Sequence, residues 1–183
     1  MFPIPRRLTS RWSLLLLSLI LCAGAFGDSP PPVDETPLQA DGFVRGLIGS
    51  WAGKGTVYGR PVTLDREWKL ELAGQFLKAD MNVKMTNGLM FRALVYLKFA
   101  GEGRYAFTWL DEAGTMKSYD ALLDRESKTL TYHALGHGDD GVPQWQRGTY
   151  QILSPDSYVE TLDAETNGKW EPVARFEFSR AKE

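Results

Sequence analysis

The feature that most constrains this chain is a long succession of short segments in which apolar and polar residues alternate. Between Trp51 and Ser179 about ten such segments follow one another, separated by short turns rich in Gly, Asn, Asp and Pro. A period of two is typical of a β-strand with one face in a core and the other in water. No segment among them has a helical period long enough for a parallel βαβ unit, so we predict an antiparallel all-β fold.

The segment 63–72 shows the pattern most clearly. Its apolar face carries Leu64, Trp68, Leu70 and Leu72. Arg66 alone interrupts that face. Nearly all of the turns are short, which favours a meander over Greek-key crossings, and closure of the sheet removes exposed edges. We therefore predict a single antiparallel up-and-down β-barrel of about ten strands rather than a sandwich.

The first residues have the organisation of an export signal. Three arginines precede an apolar run at 12–21, and Ala23-Gly24-Ala25 fits a cleavage site. The run is shorter than the ~20 residues that a membrane-spanning helix needs. We expect residues 1–25 to be a cleaved signal peptide, no stable membrane span to remain, and the protein to be exported to the periplasm or the exterior. Cys22 follows Leu21 rather than a small residue, which argues against lipidation.

Cleavage would change both the cysteine content and the charge. The remaining 158 residues contain no cysteine, so burial rather than disulfides must stabilise the fold. They carry 18 basic and 23 acidic side chains, a net charge of −5, with no basic stripe. This distribution gives no support for nucleic-acid binding.

Two further boundaries follow from composition. Residues 26–36 form a linker rich in Pro and acidic residues, and residues 37–183 form the barrel domain. The domain opens with a short helix, because Thr36 can cap it, Pro37 suits its first position and Gln39 completes a capping box. Its apolar face consists of Phe43, Val44, Leu47 and Ile48. We expect this face to pack on one end of the barrel.

Gly49-Ser50-Trp51, placed after that helix and opening the first strand, resembles the Gly-x-Trp of lipocalin and calycin barrels. In those proteins the Trp closes one barrel end and an Arg of the last strand packs across it. The resemblance implies a structural closure by Gly49, Trp51 and Arg175, with Arg180 the alternative arginine. The stretch from 42 to 180 is similar to exported bacterial domains of unknown function with a lipocalin-like barrel.

The opening at residues 47–55 more distantly resembles nitrobindin-like haem barrels. Those proteins ligate haem through a histidine near the C-terminus, but here no histidine lies beyond His137. We therefore expect no cofactor. His133 and His137 are four apart, but one lies in a predicted strand and the other in a loop with Asp139 and Asp140. They would not share a face, so we expect no metal site.

Catalysis finds little support in the sequence. There is no Gly-x-Ser-x-Gly, and the cleaved chain would have no cysteine. Glu67 and Glu71 share a strand face that we expect to point outward. No catalytic residue is assigned.

The aromatic residues lie mainly in predicted strands, so they either fill the barrel or line a cavity. We predict a ligand-binding set on the cavity interpretation. Its members are Met81, Met85, Tyr105, Trp109, His133, Trp145 and Arg147. Arg147 would anchor a polar head if its strand face points inward. The expected function is non-enzymatic binding of a small hydrophobic or amphipathic ligand inside the barrel. The alternatives are a filled-barrel interaction module acting through surface loops, a small barrel enzyme, or a haem binder.

Overall fold

The computed structural model describes residues 35–137 and 142–182, and within them the chain forms two short helices followed by ten strands. The helices are α1 (Pro37–Ala40) and α2 (Gly42–Leu47). The strands are β1 (Gly49–Val57), β2 (Arg60–Glu71), β3 (Phe76–Met85), β4 (Met90–Gly101), β5 (Arg104–Asp111), β6 (Met116–Asp124), β7 (Thr129–His137), β8 (Pro143–Ser154), β9 (Ser157–Thr166) and β10 (Lys169–Arg180). The predicted signal peptide, most of the predicted linker, and Asp139 and Asp140 lie outside the described residues.

Each strand pairs antiparallel with its neighbours in sequence, and β1 pairs with β10 to close the barrel. In that closing pair Trp51 lies opposite Arg180. The turns have the chemistry that such hairpins need: Asn167 and Gly168, between β9 and β10, both adopt positive φ angles of 52° and 74°. The prediction of an all-β, ten-strand, up-and-down antiparallel barrel is confirmed.

Alternate residues of each strand fill the barrel. On β2 the buried positions are Val62, Leu64, Arg66 and Trp68. Leu72, expected on the same face, is instead 72% exposed. The strand ends at Glu71, and Leu72 takes a φ of 51° in the turn that follows, so it no longer obeys the alternation.

The helices cover one end of the barrel, and Asp41 separates them. The Thr36 capping box starts α1, and the Asp41 carboxylate accepts hydrogen bonds from the backbone N–H groups of Phe43 and Val44 to start α2. A single helix was expected; two form because the chain at Asp41 is extended, with φ −71° and ψ 120°. The side chains that this short helical lid buries are Leu38, Phe43, Val44 and Leu47.

Trp51 lies beneath this lid and is almost fully buried. Its indole N–H donates to the Leu47 carbonyl at 2.7 Å, and its ring meets Tyr158 edge-on at 4.7 Å between centroids. The guanidinium of Arg180 lies 4.3 Å from the Trp51 ring centroid. Arg180 also donates hydrogen bonds to the carbonyls of Gly46 and Ile48.

The sequence-based choice of Arg175 as the closing arginine is therefore wrong. On β10 the inward residues are Phe176, Phe178 and Arg180, so Arg175 faces solvent, where it pairs with Glu177 at 3.4 Å. Gly49, the other member of the predicted closure, has a φ of 123° and lies where a Cβ would collide with the Arg180 guanidinium. A glycine there permits the close approach of that arginine.

Candidate functional site

The seven residues of the predicted ligand-binding set divide between the two faces of the barrel wall. Met81, Tyr105, Met85 and Trp109 belong to the inward positions of their strands. His133, Trp145 and Arg147 lie on the outer face. The inward positions of β8 are the even-numbered ones, from Gln146 to Ile152. Alternate residues of a strand face opposite sides, so the odd-numbered residues of β8 point outward. Arg147, the predicted interior anchor, therefore points away from the interior.

The outer-face residues have partners of their own. Arg147 donates to the Asp163 carboxylate at 2.6 Å, and its guanidinium lies 4.8 Å from the Trp170 ring centroid. His133 meets Trp170 edge-on at 6.0 Å between centroids. Trp145 is 53% exposed. The prediction that His133, Trp145 and Arg147 line an interior site is therefore wrong, because all three side chains lie on the outer face of the barrel.

The inward members do not form one site either. Tyr105 lies near the helical lid, beside the Asp41 carboxylate. Met81 accepts a hydrogen bond from Arg66 through its sulfur. Of the seven, only Trp109 lines the cavity described below.

A buried polar centre occupies the interior. The Arg66 side chain is fully buried and donates to Glu160 Oε2 at 2.6 Å, while the Glu160 side chain is 8% exposed. The Tyr158 hydroxyl lies 3.3 Å from Arg66 Nη1. The guanidinium also lies 4.6 Å from the Phe178 ring centroid and 5.7 Å from that of Tyr150.

The titration of these groups reflects both burial and charge. Burial disfavours the charged form of Arg66, but the neighbouring Glu160 carboxylate outweighs that effect and raises the pKa of the guanidinium. Burial likewise raises the pKa of Tyr150 well above its ordinary value, and raises that of Tyr158 to about 12. At neutral pH the tyrosines are therefore protonated and Arg66 is charged.

The centre is not fully satisfied. Within the described residues, Arg66 Nε and the Tyr150 hydroxyl have no hydrogen-bond partner. A single ion pair with unsatisfied neighbours in an apolar interior contributes little net stability, although removing one partner is costly.

A cavity of about 140 Å³ opens among the strands β5 to β9, and we call it the mouth cavity. Its lining residues are Phe107, Trp109, Lys117, Tyr119, Tyr132, Ala134, Gln146 and Leu162. The rings of Phe107 and Tyr132 stack at 4.4 Å, and those of Tyr119 and Tyr132 at 5.8 Å, with interplanar angles of 17° and 15°. These nearly parallel rings form an aromatic wall.

Two glycines make room for this wall. A Cβ on Gly148, which pairs with Tyr132 across β7 and β8, would overlap the Tyr132 ring. A Cβ on Gly136 would overlap the amide of Gln146. The ring and the amide can lie flat against the barrel wall only because these positions lack side chains.

The polar groups at the mouth cavity are few. Lys117 lies opposite Trp109 in the β5–β6 pair, and Gln146 lies opposite Ala134 in the β7–β8 pair. Burial raises the pKa of Tyr119 and of Tyr132, so both phenols stay neutral near pH 7. One ammonium group, one amide and protonated phenols suit orientation of a bound molecule better than acid–base chemistry.

No metal site emerges from the part of the chain that the structure describes. No group of three or more His, Cys, Asp or Glu side chains gathers there in a ligating arrangement. None of the helices in the described ranges is both long and apolar enough to cross a membrane.

Sequence reasoning missed the residues that define both sites. Arg66 is the one polar residue on the apolar face of its strand, and that position indicates a buried charge. Glu160 likewise lies between Tyr158 and Leu162 on one strand face, but nothing in the sequence pairs it with a residue 94 positions away. Lys117 and Gln146 were missed because their strands, unlike β2, lack a clean alternation.

Similarity in structure is found where similarity in sequence is not. No family model matches the chain, and no curated protein matches it. The crystal structure of Rv2717c from M. tuberculosis superposes with a TM-score of 0.63 at 16% sequence identity, covering 81% of this chain and 100% of the other.

Two further barrels are more remote. A de novo designed fluorescence-activating β-barrel gives a TM-score of 0.43 at 14% identity, covering 75% of this chain and 95% of its own. EF1p2_mFAP2b bound to DFHBI gives 0.44 at 7% identity with the same coverages. At such identities the likeness concerns the fold alone. The chain is thus a closed, ten-strand, up-and-down antiparallel β-barrel that shares its fold with the crystal structure of Rv2717c.

Proposed function

We propose that this protein binds, without catalysis, a small planar aromatic molecule that carries an acidic group, and that it does so in the mouth cavity. The observation that supports the proposal is the aromatic-walled space inside the barrel with one lysine at its edge. Export, expected from residues 1–25, belongs to the proposal, so binding would take place outside the cytoplasm.

Size sets the class of ligand. An engineered protein cavity of ~150 Å³ accommodates a single benzene ring, and the mouth cavity has about 140 Å³. Large side chains such as Trp68, Tyr150 and Phe178 fill the interior near the buried polar centre. A single ring fits the remaining space, whereas a long acyl chain would need those side chains to move.

Chemistry sets the preferred substituent. The rings of Phe107 and Tyr119 each lie nearly parallel to that of Tyr132, and a further ring can stack against this wall in an offset or edge-on arrangement. Within the described residues Lys117 forms no ion pair, and its ammonium group is therefore available to a carboxylate. A charge-assisted hydrogen bond in such a partly desolvated site contributes about 1.5–3 kcal/mol.

The test is a calorimetric titration of the purified protein with benzoate, benzyl alcohol and cyclohexanecarboxylate. We expect benzoate to bind most tightly. Lys117→Gln should weaken benzoate binding by about tenfold, which corresponds to ~1.4 kcal/mol, and leave benzyl alcohol nearly unchanged. Ala134→Phe fills the cavity and should abolish binding of both.

The matched control is Arg147→Gln, which removes a cation from the outer face of β8, two strands away from Lys117 on β6. This variant should bind benzoate like the unchanged protein. If benzoate fails to bind at millimolar concentrations, or if Lys117→Gln and Arg147→Gln behave alike, the proposal is wrong.

A second candidate, an interaction module that acts through surface loops, is supported by a different observation. Large apolar side chains are exposed at or near the turns of the barrel end opposite the helical lid. They include Leu89, Met90, Met116, Leu135, Trp145 and Trp170. Leu135 and Trp145 lie opposite each other on β7 and β8, and contiguous exposed apolar side chains mark contact surfaces. This candidate would be favoured if none of the aromatic probes binds and if the protein self-associates but the Trp145→Ser variant does not.

A further inference from the structure

A second concave site lies outside the barrel, at the end that the helices cover. It runs between α2, the turn that joins β6 to β7, and the turn that joins β8 to β9, and its volume is about 580 Å³. We call it the lid groove. Small-molecule sites typically occupy about 300–1,000 Å³, so the lid groove is large enough for a ligand that the mouth cavity cannot hold.

The lid groove has an apolar surface. Phe43 of α2, Leu123 of β6 and Ile152 of β8 contribute to its lining. A backbone hydrogen bond joins two sides of the lid groove, since the Ile152 N–H donates to the Lys128 carbonyl at 3.1 Å. A Cβ on Gly46 would meet Ile152 Cδ1 at 2.7 Å, so the helix approaches this strand as closely as a glycine allows.

Four cationic side chains share this lining. They are Arg45, Arg125, Lys128 and Arg180. Two of them are committed to the fold: Arg125 binds the Asp41 carboxylate at 2.9 Å, and Arg180 donates to backbone carbonyls beside Trp51.

The other two cations are less engaged. Arg45 meets Glu35 at 3.5 Å, and both side chains are more than half exposed, so water screens that pair. Lys128 forms no ion pair with any described residue. Asp156 lies 3.7 Å from Arg180 but points largely into solvent. The lid groove therefore offers two cations without a strong internal partner, next to an apolar surface.

We propose that the lid groove binds an anionic amphiphile, a molecule with one carboxylate or phosphate head and a short alkyl tail. The head lies between Lys128 and Arg45, and the tail covers Phe43, Leu123 and Ile152. Burial of the alkyl tail against this apolar surface favours binding, and the cations select the charge of the head. The site is independent of the mouth cavity.

The experiment is a titration of the purified full chain, followed by calorimetry, with octanoate, octyl phosphate, octanol and inorganic phosphate below any micelle-forming concentration. Octanoate and octyl phosphate should bind, and raising the salt from about 0.01 to 1 M should weaken both, since the Debye length falls from about 30 to 3 Å. The comparison of the two heads shows which anion is preferred. Lys128→Gln and Arg45→Gln should each reduce octanoate affinity about threefold to fivefold, and the double variant about tenfold or more.

Two controls keep the result attributable to the lid groove. Arg175→Gln removes an exposed cation elsewhere on the barrel, and Ala134→Phe fills the mouth cavity; neither should change octanoate affinity. A thermal melt of each variant verifies folding. The proposal is overturned if neither octanoate nor octyl phosphate binds, if the double variant binds them unchanged, if Ala134→Phe abolishes binding, or if inorganic phosphate binds as tightly as octyl phosphate.

Discussion

The guanidinium of Arg66 on β2 meets the carboxylate of Glu160 on β9 inside the barrel, with 2.6 Å between Nη1 and Oε2. Around the wall β1 and β10 separate these two strands, so the pair spans the interior rather than linking neighbours. The contact exists only in the closed barrel. Pairing of the two buried charges therefore requires that β1 pairs with β10.

Truncation of one partner should destabilise the barrel strongly. Glu160→Ala leaves Arg66 charged and unpaired in an apolar interior, which should lower the free energy of unfolding by about 3–5 kcal/mol. Urea denaturation with constant m-values measures the loss. The double variant Arg66→Met, Glu160→Leu should recover much of it, because two apolar side chains leave no buried charge. A loss below about 1 kcal/mol in Glu160→Ala would show that the pair is not buried in solution.

The two candidate closing arginines offer a matched comparison. Arg180→Ala removes the cation above Trp51 and the donors to Gly46 and Ile48, so we expect a loss of about 1–3 kcal/mol and a change in tryptophan emission. Arg175→Ala removes only an exposed pair with Glu177, and should stay within about 0.5 kcal/mol. Equal effects of the two substitutions would contradict the assignment of Arg180.

Asp41 should make the helical lid sensitive to acid. Burial alone would raise the pKa of its carboxyl group, but the Tyr105 hydroxyl, Arg125 and two backbone N–H groups outweigh burial and hold it below the ordinary 3.8. A lowered folded-state pKa means that the stabilisation is complete above the unfolded-state value and is lost as pH falls through the folded-state value. Asp41 should thus contribute fully at pH 5–7 and progressively less below about 4.

Asp41→Asn measures this contribution, since an amide still caps the helix but carries no charge. The variant should melt below the unchanged protein at pH 6, and the difference should shrink as pH drops below about 4. A difference that is constant from pH 7 to pH 3 would rule out a role for the carboxylate charge. Asp65→Asn, at an exposed position of β2, changes the net charge in the same direction as Asp41→Asn and controls for that change.

Gly148 should be intolerant of even one added carbon. Gly148→Ala places a methyl group where the Tyr132 ring lies, so we expect a loss of about 1–3 kcal/mol from overpacking. Displacement of Tyr132 would also disturb the aromatic wall and weaken benzoate binding. Gly168→Ala is unsuitable as a control because its φ is 74°, but Gly42→Ala meets no atom within 4 Å and should be nearly neutral. Tolerance of Gly148→Ala with unchanged binding would contradict the position of Tyr132.

The limits of prediction are clearest on β8. Its sequence gives contradictory indications of face: Trp145 suggests that odd positions are inside, while Tyr150 and Ile152 suggest even ones. A strand of this kind specifies its register weakly by itself. The structure resolves the conflict because Gly148 must face inward to admit the Tyr132 ring.

The inward face was predicted correctly on β2 but not on β10. The clean alternation of β2 correctly placed Leu64 and Trp68 on one face, and it also placed Arg66 there. On β10 the pairing with β9 shifts between Pro172 and Ala174. Arg175 lies within the strand but faces outward, so it does not contact the Trp51 ring. Arg180 lies on the inward side with Phe178 and contacts that ring.

By itself the sequence determined the type of fold: ten alternating segments, short turns such as Asn167-Gly168, and a capped helix before Gly49-Ser50-Trp51. These are local properties, because alternation, turn conformation and capping depend on residues within a few positions of one another. Only the tertiary structure decided the sites. The Arg66–Glu160 pair, the Trp51–Arg180 contact and the mouth cavity each join strands distant in sequence, and their positions depend on how the barrel closes.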